Sequence, residues 1–100
     1  MLLVSVVPVT IHAAVDKGAN YFNIEVRKAR LKDNFEVDLD HVKSLIDSNT
    51  IALYGSYGNY PHGIIDPMAE MAALAKKRKI ACHLDACLGG FVAGFLDEHK

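Results

Sequence analysis

Apolar positions along this chain fall into short unbroken runs and longer periodic stretches, and their alternation predicts four strands separated by three helices. Residues 2–7 are apolar except for Ser5, the pattern of a strand covered on both faces of a parallel sheet. Thr10 stands where a helix cap is wanted, and the helix it opens holds Ala13, Ala14 and Val15, weakens at Gly18 and ends near residue 20. Residues 24–29 alternate apolar with charged, which predicts a half-exposed strand near a sheet edge.

Asp38 caps the second helix, whose Leu39, Val42, Leu45 and Ile46 make one apolar stripe before Ser48-Asn49-Thr50 ends it. Residues 51–54 form a third strand, and residues 55–63 a glycine-rich loop at its carboxyl end. Asp66-Pro67 starts the third helix, with Met68, Met71, Ala72 and Ala75 toward the sheet. The run Lys76-Lys77-Arg78-Lys79 closes it, where positive charge suits the carbonyl end of a helix. A fourth, buried strand then runs to Asp85, ahead of the Gly89-Gly90 turn.

Strands alternating with helices imply an α/β fold: a partial three-layer α/β/α arrangement with a mainly parallel sheet and right-handed crossovers. That topology brings three loops to one end of the sheet, at residues 7–12, 55–63 and 85–90. One hundred residues, 51% of them hydrophobic and 23% charged, suit one core and no second domain. Eleven basic residues against twelve acidic give a charge of −1, no footprint for nucleic acid or an anionic membrane. The apolar run at the start is far shorter than the roughly 20 residues that cross a bilayer. Cys82 and Cys87 lie on one strand and the turn after it, a poor geometry for a disulfide, so reduced thiols and a cytoplasmic setting are expected.

Asp85 is the strongest candidate for chemistry, because the carboxyl end of a strand is where α/β sheets hold ligands, and a carboxylate there wants a cation. A turn aspartate that caps the segment after Gly89 is the plain alternative. His83 shares the face of Asp85 and reads either as its partner or as a buried histidine satisfied by backbone. His12, in the first turn of the first helix, is placed to stack on a planar ring or move a proton, or else is structural. His62 suits a tight turn, while His41 and His99 look exposed and receive no role. His83 and Asp85 lack a third ligand at metal-site spacing, so no metal is expected, and neither a Gly-x-Gly-x-x-Gly nor a Walker sequence supports nucleotide binding.

Three stretches taken in order carry a resemblance: Thr10-Ile11-His12-Ala13-Ala14-Val15-Asp16-Lys17, Tyr60-Pro61-His62-Gly63-Ile64-Ile65-Asp66-Pro67, and His83-Leu84-Asp85-Ala86-Cys87-Leu88-Gly89-Gly90-Phe91. With them the chain resembles the pyridoxal-phosphate-dependent group II decarboxylase family over nearly its whole length, and most closely the sphingosine-1-phosphate lyase branch. The resemblance implies that residues 1–100 are a fragment of the cofactor-binding large domain of a fold-type I enzyme. It implies pyridoxal 5'-phosphate as cofactor, with His12 stacked on one ring face, Cys87 packed on the other, Asp85 paired with the pyridine nitrogen, His83 orienting the site and Ser56 near the ring hydroxyl.

The same resemblance implies cleavage of a phosphorylated long-chain amino alcohol to a fatty aldehyde and phosphoethanolamine. It also implies a homodimeric parent, cytosolic or facing the cytosol from the endoplasmic reticulum membrane. The lysine that carries the cofactor in this family lies in a later segment, and neither Lys17 nor Lys100 has its surroundings. The expectation is therefore that this chain is the middle of a larger catalytic domain and has no turnover alone. An amino-acid α-decarboxylase of the same family and a non-catalytic structural remnant are the alternatives.

Overall fold

The computed structural model describes residues 2–96; His99 and Lys100 lie outside the described residues. Four parallel strands form the sheet: β1 (Leu3–Pro8), β2 (Ile24–Ala29), β3 (Thr50–Ser56) and β4 (Ala81–Asp85). They are joined by α1 (Ala13–Tyr21), α2 (Leu39–Leu45) and α3 (Met68–Arg78), and a short α4 (Gly90–Ala93) follows β4. The order across the sheet is β2-β1-β3-β4. The chain steps from β1 to β2, returns past β1 to β3 and continues outward to β4. This reversal of winding sends α1 to one face and α2 with α3 to the other, and it opens a crevice at the carboxyl ends of β1 and β3.

The core fills the face under α2 and α3, where Val4, Val6, Leu53, Val42, Met71 and Ala75 are all but inaccessible. β1 is covered on both faces from Val4 onward, as its apolar run requires, although Leu2 and Leu3 at its start are exposed. β2 is the half-exposed edge strand that its alternating sequence predicts. The expectation of a buried β4 fails: as the opposite edge it is exposed through Leu84, and α1 covers only part of its side of the sheet.

Helix starts also differ from the simplest reading of the sequence. Asp38 caps α2 as expected, accepting the Asp40 and His41 amides. Thr10 does not cap α1; His12 does, its Nδ1 accepting the Ala14 amide at 3.0 Å, and the Thr10 hydroxyl is buried without a partner among the described residues. Asp66 does not cap α3, because its carboxylate turns inward and Pro67 occupies the cap position. Ala72 is exposed, and Leu74 packs toward the core in its place. The basic run closes α3 as expected, with Lys79 in the left-handed region at φ 57°. His41, expected to be idle, is half-buried and accepts the Arg30 amide at 2.8 Å.

Between β2 and α2 the chain forms a small hairpin with an antiparallel bridge between Leu31 and Val37. Phe35 at its tip has φ 67° and lies on the His62 ring, with centroids 4.3 Å apart. The loop after β3 is thereby pinned from outside the sheet. Within it, the Asn59 side chain accepts the His62 amide, which makes His62 the turn residue its neighbours suggest.

Candidate functional site

Three loops meet at the carboxyl end of the sheet on the α1 side, and they border an open cavity of about 880 Å³. His12 from the loop after β1, Tyr60 from the loop after β3, and His83, Asp85 and Cys87 from the end of β4 all line it. Four of the five residues singled out in the sequence are therefore brought together. Strand register explains much of this: Tyr54 pairs with His83 and Ser56 with Asp85, so all four share the sheet face beneath the cavity.

Ser56 is the exception. It ends β3 rather than sitting in the following loop, is only 3% exposed, and is not among the residues bordering the cavity. His83 is exposed rather than buried, and its ring leans on Tyr54 at 5.3 Å between centroids. His12 is held by its cap bond, which commits Nδ1 and fixes the ring while leaving Nε2 free of protein partners among the described residues. The cap bond places the imidazole at the cavity edge by helix geometry instead of by burial.

The Asp85 carboxylate accepts the Cys87 amide at 3.2 Å, a local turn contact and not a cap for the segment after Gly89. It does not reach the first turn of α4, which Gly89 precedes as cap. Among the described residues no cation lies within ion-pairing distance of Asp85, and no lysine borders the cavity. A half-buried carboxylate at a sheet end, bordering the same cavity as an oriented imidazole and without a paired cation among the described residues, is a donor set that suits a planar cationic heterocycle. Among the described residues no group of three His, Cys, Asp or Glu is arranged to hold a metal ion.

Two backbone contacts fix this geometry. The Tyr57 amide donates to the Asp85 carbonyl at 2.8 Å, carrying the pairing of β3 and β4 one residue past Ser56. Gly89 lies against the Tyr57 carbonyl and ring, where any Cβ would collide with main chain. The loops after β3 and β4 can therefore close on each other only because position 89 has no side chain.

Tyr60 is a site residue that patterning alone did not single out. Its ring stands 5.5 Å from that of His12, and its phenol is pushed above the usual tyrosine range by polar contact with the Cys87 thiol, then by burial and Asp85. The available signal was its position inside a glycine-rich strand-end loop. Cys82, also on the cavity wall, has a thiol pushed up by burial. Both cysteines are free, as their spacing implied, and both are exposed, which the expected buried strand did not suggest for Cys82.

The aminotransferase class-V family profile matches residues 5–89. The sphingosine-1-phosphate lyase of Dictyostelium discoideum is 47% identical over 94 residues, covering 93% of this chain and 18% of its own length. A probable L-tyrosine/L-aspartate decarboxylase of Methanosarcina barkeri is 45% identical over 93 residues, covering 93% of this chain and 24% of its own. Among solved structures, a sphingosine-1-phosphate lyase of Burkholderia pseudomallei superposes with a TM-score of 0.92 at 34% identity, over 97% of this chain and 22% of that one. This chain thus spans a quarter or less of the length of each of these proteins.

Proposed function

We propose, from the premise that this chain belongs to the aminotransferase class-V family, that it is part of a pyridoxal-phosphate-dependent carbon–carbon lyase acting on a phosphorylated long-chain amino alcohol. The expected products are a fatty aldehyde and phosphoethanolamine. The names of the relatives support the substrate class. The observation that carries the reading is the cavity in which Asp85, with no paired cation among the described residues, stands with the cap-held ring of His12 and the thiol of Cys87.

The bound cofactor supplies an electron sink for the charge left on carbon when the substrate bond breaks. The residues of this chain bind and tune it. Asp85 would favour the protonated form of the ring nitrogen by placing negative charge near it, and His12 and Cys87 would pack against the ring. His83, braced by Tyr54, orients the wall between them. The lysine that carries the cofactor belongs to another part of the parent protein, so the hundred residues alone bind cofactor weakly and do not turn over. The parent is a homodimer and is cytosolic or faces the cytosol from a membrane. No described helix is long and apolar enough to cross one.

A second reading, an amino-acid α-decarboxylase, has in its favour the 45% identity to the methanogen protein. One experiment separates the two: full-length protein with pyridoxal phosphate is given sphingosine 1-phosphate, tyrosine or aspartate, and aldehyde and carbon dioxide are followed. Aldehyde release, reduced on the order of a hundredfold or more by Asp85→Ala, is expected, since electrostatic stabilisation at the reacting centre is lost. Carbon dioxide release without aldehyde replaces the lyase by the decarboxylase. Activity with neither, or full activity of Asp85→Ala, ends both.

A further inference from the structure

Asp66 is 1% exposed, lies on the opposite side of the sheet from the cavity and takes no part in the chemistry above. We infer that it is a positioning residue: its carboxylate ties the Leu31–Val37 hairpin to the end of β3, and through Tyr57 that tie fixes where Asp85 stands. One carboxylate oxygen accepts the Ser56 amide at 2.9 Å and the other accepts the Val37 amide at 3.2 Å. The Asp66 amide in turn donates to the Ser56 carbonyl at 2.9 Å. Ser56 is thus held from both of its peptide groups, and the next residue, Tyr57, makes the 2.8 Å hydrogen bond to Asp85.

Burying a carboxylate is unfavourable, and here burial pushes its pKa up despite the two amides that lower it. No cation pairs with it among the described residues: Lys32 in the same recess pairs with Glu36 instead, and Glu36 raises the Asp66 pKa further. A simple helix cap would sit at the surface at no such cost. The geometry that this carboxylate stabilises is the join between the Leu31–Val37 hairpin and the end of β3, from which the loop that carries Tyr60 leads off. Phe35 stacked on His62 supports the same join from the hairpin side.

The inference rests on the cavity being a cofactor site, and the test keeps the two apart. Amide exchange is measured on cofactor-free full-length protein for wild type, Asp66→Asn and Asp66→Ala. Exchange at Tyr57 and Val37 is expected to rise about tenfold or more in Asp66→Ala, with Asn in between because it keeps one acceptor, and with the β1 amides unchanged. The same variants are then titrated with pyridoxal phosphate. Affinity is expected to fall about tenfold, and the pH at which the bound cofactor changes its absorbance to move, as it would if Asp85 were displaced.

Unchanged exchange at Tyr57, or equal acceleration at Tyr57 and in β1, overturns the inference. So does unaltered cofactor affinity and absorbance in a variant with faster Tyr57 exchange. Should Asp66→Ala not fold, Asp66→Asn carries each comparison. Wild-type protein that binds no cofactor ends the proposed function, while the exchange arm still decides whether the tie to Tyr57 exists.

Discussion

Phe35 lies nearly parallel to His62, with ring planes 22° apart, and does so from a backbone conformation that only glycine adopts freely. The stack holds a residue at φ 67° and thereby links the hairpin to the loop that borders the cavity. Two opposed effects follow from removing the ring. Phe35→Ala loses a contact of about 1 kcal/mol and keeps the strained backbone, whereas Phe35→Gly loses the contact and gains about 1 kcal/mol from the relaxed one. Chemical denaturation should therefore find Phe35→Gly more stable than Phe35→Ala. The reverse order would mean that the stack does not hold the hairpin tip in this conformation.

Gly89→Ala tests the contact between the two loops. The φ of Gly89 is −86°, open to any residue, so the demand at this position is for space. A Cβ would meet the Tyr57 main chain, which moves only if the β3–β4 join moves with it. A loss of about 1–3 kcal/mol in stability is expected, together with weaker cofactor binding. A melting temperature and cofactor affinity equal to wild type would refute the close approach.

Acid and neutral pH should act on two carboxylates with opposite sign. Asp38 is held below its ordinary value of 3.8, first by the His41 amide and then by Arg30, so its contribution is present above that value and lost as pH falls through the folded pKa. Asp66 is raised above 3.8 by burial, so its contribution is present below that value and lost as pH rises through the folded pKa. The stability difference between wild type and Asp38→Asn should grow with rising pH, and that between wild type and Asp66→Asn should shrink. Slopes of the same sign would contradict the assignment.

Cys87 reports on the cavity without any turnover. A thiol reagent should label Cys87 in cofactor-free protein, and pyridoxal phosphate at about a hundred times its dissociation constant should slow that labelling roughly a hundredfold. Cys82, whose thiol is raised by burial, should react more slowly at the outset. Labelling of Cys87 at one rate with and without cofactor would place the ligand elsewhere.

The order of elements was legible because runs such as Val4-Ser5-Val6-Val7 and the Leu39-Val42-Leu45 stripe state their period directly. The grouping of His12, His83, Asp85 and Cys87 followed from that order, since parallel strands put every strand-end loop on one side. Caps were less legible. Thr10 and Asp66 have good capping side chains, but tertiary partners decide which side chain turns to the helix, and for Asp66 those partners are 10 and 29 residues away in the chain. The exposure of β4 was hidden because an apolar strand reads alike in the middle of a sheet and at its border. The place of Tyr60 depends on loop closure over Gly89, which no periodicity encodes.

Asp85 stands at the tip of β4, which among the described strands is hydrogen-bonded along one flank only. The Tyr57 amide holds its backbone, and the other flank is open to a neighbour whose charge would act on the carboxylate. At an effective dielectric of about 20, moving the carboxylate from about 3 to about 4 Å from a cation changes their attraction by roughly 1.4 kcal/mol, which is about one decade in proton affinity. Whatever lies alongside β4 would therefore act as a tuning screw on the Asp85 charge and, on the proposed reading, on how firmly a bound ring nitrogen keeps its proton.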